Sequence, residues 1–97
     1  MRILPNPAKE ARNRAKHGWS FERVGEIFAS PTIEELDDRP LGYEQEGRVR
    51  VIGRIGAEVV FLVFEPVEVE GGEIAARPIS LRRATRRERQ DYWRVYG

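Results

Sequence analysis

Of the 17 basic side chains in this 97-residue chain, 15 are arginine. A guanidinium binds phosphate or carboxylate through a planar two-pronged fork, where lysine offers a point charge. The basic residues are bunched. Residues 1–23 hold six against two acids, residues 24–76 hold four against twelve, and residues 77–97 hold seven against two. The ends are basic and the middle acidic, beneath a formal net charge of only +1. This distribution is the electrostatic footprint of a protein that meets nucleic acid or an acidic partner. Arg48 and Arg50 stand two apart, so in a strand they share a face and form a rim able to grip phosphate. His17 is the one histidine, with an unperturbed pKa suited to proton transfer near neutral pH. Two roles fit it: proton transfer, or capping carbonyls where a helix ends before Gly18. Lys16 beside it carries the same pair of readings.

The composition rules out several chemistries. Cysteine is absent, so no disulfide, thiolate nucleophile or cysteine-ligated metal exists, and a reducing cytoplasm is the expected location. With one histidine and no tight carboxylate–histidine spacing, no metal site is expected, and no cofactor motif appears. No apolar run approaches the ~20 residues that span a bilayer. Met1-Arg2-Ile3-Leu4-Pro5 is unlike a signal peptide. The length fits one domain, 1–97, which folding would bury to roughly 60–65% of its unfolded surface.

The elements that must position these groups can be read in order. Arg2-Ile3-Leu4 is a short strand candidate. Asn6-Pro7 starts a helix, with Asn at the cap and Pro at the first helical position. It runs to about Lys16 and stops at His17-Gly18. Ser20 caps a second helix through about Ala29, with Phe21, Val24, Ile27 and Phe28 on one face, and Ser30-Pro31 ends it. Thr32–Leu36 reads as a strand, and Asp37–Gly47 as a mobile loop rich in charge, proline and glycine. Arg48–Ile52 is a half-buried strand. Val59–Phe64 is apolar on both faces and should be central. Ile74–Leu81 is another strand, which Pro78 places at an edge or a bulge. Ile79 and Leu81 are expected to face the core. Thr85-Arg86-Arg87-Glu88 is a capping box, which accounts for Glu88 without assigning it as a base. Tyr92, Val95 and Tyr96 can form the apolar stripe of the last helix, with Trp19 and Trp93 as packing residues. The expected class is α+β: a short strand, two helices, a curved antiparallel sheet of three to four strands, and a C-terminal helix.

Two blocks resemble a known family. Asn6-Pro7-Ala8-Lys9, Asn13, Lys16-His17-Gly18-Trp19-Ser20-Phe21-Glu22 and Phe28-Ala29-Ser30-Pro31 are similar to the opening of the BrnT toxins. Ile52-Gly53-Arg54 and Ile79-Ser80-Leu81-Arg82-Arg83-Ala84-Thr85-Arg86-Arg87-Glu88-Arg89, followed by Tyr92, are similar to their second half. The resemblance implies a RelE-like fold and ribonuclease activity that inhibits translation. It also implies a BrnA-type antitoxin in a hetero-oligomer, with operator DNA reached only through that complex. The chain departs from the family pattern at Pro5-Asn6, where Trp-Asp is usual. It also has Arg83 in place of lysine, which keeps the charge but makes a poor proton donor.

Metal-independent RNA cleavage uses the ribose 2′-OH as nucleophile, and needs in-line alignment and stabilisation of charge on the phosphate. The motif makes Arg82 the first candidate for that charge, with Arg77 second and Arg48, His17 and Lys16 completing the catalytic candidates. Odd spacing would put Arg77 and Arg82 on opposite faces of a strand, unless Pro78 introduces a bulge. Arg50, Arg83, Arg86, Arg87 and Arg89 are candidates for RNA or antitoxin contacts. Each arginine also fits a solvated strand or helix position. The alternative function is a non-catalytic or decayed RNA- or antitoxin-binding module acting in operon autoregulation. No helix-turn-helix pattern stands out, which argues against autonomous DNA reading.

Overall fold

The computed structural model describes residues 2–4, 6–36 and 47–97. The expected loop at Asp37–Gly47 lies, apart from Gly47, outside the described residues. The elements are β1 (Arg2–Ile3), α1 (Pro7–His17), a 3-10 turn (Phe21–Arg23), α2 (Val24–Phe28), β2 (Ile33–Leu36), β3 (Val49–Ile55), β4 (Glu58–Glu68), β5 (Ile74–Arg83) and α3 (Arg86–Tyr96). They form an α+β fold around one five-stranded sheet, ordered β1-β5-β4-β3-β2. Three antiparallel pairings join β2 through β5, and β1 adds to β5 in parallel through Arg2–Ala75 and Ile3–Ala76. The apolar strand is central, as its two-sided hydrophobicity requires.

Local signals account for the helix ends. The Asn6 side chain accepts from the Ala8 and Lys9 N–H groups at 3.1 and 3.2 Å. Gly18 ends α1 at φ +76°, and its N–H donates to the Arg14 carbonyl, a left-handed stop that suits glycine. Ser20 caps the next element by accepting from Glu22 N–H. That element begins as a 3-10 turn before becoming α2, where a continuous helix was expected. Tightened first turns are common at helix starts, and this one keeps Phe21, Val24 and Ile27 together in the core.

One sheet face carries Val51, Ile55, Val60, Leu62, Phe64, Ala76 and Leu81, packed against Phe21, Val24 and Ile27. The approach of α2 is close. A Cβ on Gly53 would stand 2.7 Å from Ile27 Cγ2, so β3 needs a residue without a side chain there.

The opposite face is covered at one end by α3. Tyr92 is fully buried with Val59 and Ala84, against Ile33 and Ile52. Its hydroxyl donates to the Pro31 carbonyl and accepts from Arg54 Nε. The contact ridge is Glu88-Tyr92-Tyr96, one residue per turn, with the Tyr96 hydroxyl on the Thr32 carbonyl. Val95 and Tyr96 are both exposed, so of the expected stripe of Tyr92, Val95 and Tyr96 only Tyr92 is buried. Trp93 is also exposed, with the Arg54 guanidinium 5.7 Å from its ring.

Candidate active site

The arginine face is made by a register shift. Facing residues in an antiparallel ladder share a side of the sheet. Arg82 faces Phe61 and Ser80 faces Val63, but then Pro78 faces Phe64 and Arg77 faces Glu65. Ile79 is the extra residue of a β-bulge. The bulge reverses the parity of the strand, so Arg77 and Arg82 stand on the same face despite their odd separation. It also turns Ile79 out of the core, where alternation had placed it. Leu81 remains fully buried.

On β3, Arg50 faces Val63 and so belongs to the same side; Arg48 stands just before the strand, two residues earlier, where alternation keeps it on that side. Arg48, Arg50, Arg77 and Arg82 thus share one sheet face, on the part α3 leaves open. Arg50 Nη2 meets Glu35 Oε2 at 3.2 Å. The Nε atoms of Arg48 and Arg50 are out of solvent, with no hydrogen-bond partner among the described residues.

Arg82 is the most constrained of the four. Its guanidinium lies 4.2 Å from the centroid of the Phe61 ring, a cation–π contact across the strand pair. Nη1 and Nη2 donate to the two carboxylate oxygens of Glu88 at 2.8 and 3.0 Å, and Nη1 also donates to the Arg83 carbonyl at 3.1 Å. Burial pushes the Glu88 carboxyl up, but the bonds from Arg82 and Thr85 outweigh it and hold the group below the usual carboxylate range. Glu88 also accepts from Thr85 N–H at 2.7 Å, closing the capping box.

The other half of the site comes from α1. Asn13 is buried, and its side-chain amide pairs with the backbone of Leu81 on the edge of β5 away from β4. This seats the C-terminal half of α1 along the strand. Between them lies a cleft of about 530 Å³, lined by Lys9, Arg12, Asn13, Ala15, Lys16, His17, Ile79 and Ser80. Its floor is largely apolar and its rim is basic. Ser80 belongs to both features: it lines the cleft and faces Val63 on the arginine side. His17 is half-buried, and its pKa is lowered by burial, then by the charges of Lys16 and Arg82. The neutral imidazole is therefore favoured near pH 7.

The remaining candidates stand apart. Arg83 faces Val60 on the other side of the sheet and pairs with Glu58. Arg89 Nη1 donates to the Ala84 carbonyl at 2.6 Å. Arg86 and Arg87 are exposed on the first turn of α3. Phe61, Ser80, Asn13 and Glu88 have site contacts that sequence reasoning missed. Only Phe61 had a usable signal, since a correct register would have put it opposite Arg82. Among the described residues no three His, Cys, Asp or Glu side chains are grouped to hold a metal ion.

A family profile described as the ribonuclease toxin BrnT of type II toxin–antitoxin systems matches residues 6–88. No curated protein sequence matches the chain at a significant level. The profile spans both halves of the site, from the Asn6 cap of α1 to Glu88 on α3. The chain belongs to the BrnT family of type II toxin–antitoxin ribonuclease toxins.

Proposed function

We propose that this toxin cleaves RNA without a metal ion, by attack of a ribose 2′-OH on the adjacent phosphorus, across the junction between the α1 cleft and the arginine face. The observation that carries the reading is geometric: Ser80 lines the α1 cleft with Lys16 and His17 and stands on the sheet face that carries Arg82 and Arg77. A neutral imidazole beside fixed cations suits a general base facing a phosphate.

In this reading His17 takes the 2′-OH proton as the 2′-oxygen bonds to phosphorus. The 5′-oxygen leaves and is protonated by water, which leaves a 2′,3′-cyclic phosphate. Arg82 and the Lys16 ammonium face the charge that grows on the phosphate oxygens. Arg77, Arg48 and Arg50 track neighbouring phosphates along the sheet. Arg86 and Arg87, exposed at the start of α3, extend the basic surface, while Arg83 and Arg89 are already engaged within the fold. The reaction would act in the cytoplasm, inhibit translation and be silenced by a BrnA-type antitoxin in a hetero-oligomer that reaches operator DNA.

The test is incubation of purified toxin with RNA in excess chelator, followed by analysis of product ends. Cyclic phosphate termini, lost in Arg82→Ala, are expected. A salt-dependent shift of RNA that is never cut would identify a non-catalytic binding module instead.

A further inference from the structure

We infer that Glu88 is a positioning residue, which turns Arg82 into a single-purpose phosphate fork; the inference rests on the proposed role of Arg82. An arginine side chain has five N–H groups in a rigid plane. Glu88 occupies the end-on edge formed by Nη1 and Nη2, and the Arg83 carbonyl takes the second hydrogen of Nη1. The two N–H groups left without a partner among the described residues are Nε–H and the second one on Nη2. They are neighbours on one edge of the guanidinium, and two parallel donors of this kind match two oxygens of a phosphate. Phe61 lies beneath one flat side of the group. One edge is filled, one side is stacked, and one fork remains.

The clamp is itself held. Glu88 accepts from the backbone N–H of Thr85 while Thr85 caps Glu88 N–H. The carboxylate cannot swing away from Arg82 without opening the first turn of α3. Arg82 and Glu88 are both largely covered, at 29% and 20% side-chain exposure, so the pair is less screened than a surface contact. An arginine on a mobile side chain would have to be ordered at each turnover. This one is ordered in the folded protein, which is the condition for stabilising charge without reorganisation.

The experiment uses the full chain and three variants. Glu88→Gln keeps an oxygen for Thr85 N–H but loses the charge and the second acceptor for Arg82. Thr85→Ala weakens the helix start and leaves the Arg82–Glu88 bonds. Arg82→Ala tests the underlying reading. Glu88→Gln is expected to lower kcat by about 10- to 100-fold, as misplaced catalytic groups do, with KM little changed. Thr85→Ala keeps the Thr85 N–H bond to Glu88 and should lose less kcat than Glu88→Gln. If Arg82→Ala cleaves like the parent, the proposed role of Arg82 falls. If Arg82→Ala is inactive while Glu88→Gln keeps the parent kcat, the positioning role alone is overturned. Equal losses in Glu88→Gln and Thr85→Ala would reduce Glu88 to a helix cap, which also overturns it.

A second readout needs no variant to fold. In ¹⁵N-labelled parent protein, the Arg82 Nε–H signal should shift when an uncleavable 2′-O-methyl RNA oligonucleotide is added. An Nε–H signal that ignores the oligonucleotide overturns the proposal.

Discussion

The Asn13 side chain pairs with Leu81 as a neighbouring strand would: its Nδ2 donates to the Leu81 carbonyl and its Oδ1 accepts from the Leu81 N–H, both at 2.8 Å. One amide satisfies two buried backbone groups and ties α1 to β5. Asn13→Ala leaves both without partners, and each unsatisfied group costs about 1–3 kcal/mol. We expect urea denaturation to show a loss of about 2–6 kcal/mol. RNA cleavage should fall further than the unfolded fraction accounts for, because His17 and Arg82 lose their common anchor.

The single histidine makes the electrostatic claim directly measurable. The His17 ring should titrate below 6.5, the ordinary imidazole value. Removing a nearby cation in Arg82→Ala should move that titration upward in NMR. A ring that titrates identically in both proteins would separate the two residues. Because the folded-state pKa is the lower one, the unfolded chain binds the extra proton. The stability this group contributes is present above 6.5 and is lost as pH falls through the folded value.

Glu88 gives a second pH-dependent contribution, at lower pH. Its folded-state pKa lies below the usual 4.5. Its stabilising contribution is therefore complete above that value and is lost as pH falls through the folded pKa. Denaturation measured from neutral to acid pH should show a steeper decline in the parent than in Glu88→Gln, which has no carboxylate to protonate.

Gly53 is a packing requirement of the α2 contact. Gly53→Ala places a methyl group 2.7 Å from Ile27 Cγ2. Overpacking of this kind costs about 1–3 kcal/mol, read as a lower denaturation midpoint. Gly25→Ala, with nothing within 4 Å of its added Cβ, is the control and should not lower it.

The arginine row makes a prediction about salt. Each phosphate contact to single-stranded RNA contributes about 0.7 to the slope of log affinity against log salt. Arg48→Gln and Arg50→Gln should each weaken binding of 2′-O-methyl RNA across sequences and flatten that slope by about this amount. An unchanged slope would remove that arginine from the phosphate path.

Much of the framework was legible because its signals are local. The Asn6 and Gly18 ends of α1, the Thr85–Glu88 capping box and the apolar central strand depend on residues a few positions apart. Pro78 pointed to a bulge, but whether Arg77 and Arg82 share a face depends on how β5 registers against β4. That register is set by packing across the sheet. The pairing of β1 with β5 and the bond from Asn13 to Leu81 join distant parts of the chain, and neither leaves a periodic trace. The capping box identifies Glu88 as a cap, which it is; its hold on Arg82 depends on where the end of β5 and the start of α3 meet in space. Why the end of α1 that carries His17 lies along β5 was likewise hidden, since α1 had no sequence cue for which strand it would pack against.

The Asn13 amide also limits what else the sheet can join. A strand edge with open N–H and C=O groups can template pairing with another chain. On β5 that edge is taken by β1 at Ala75–Ala76 and by Asn13 at Leu81. The stretch between them is shorter than the usual strand of about 5–6 residues. It also contains Pro78, which has no N–H to donate. A second copy of the chain finds no continuous template there. A toxin that outlives its antitoxin would therefore accumulate without growing into a shared sheet along β5.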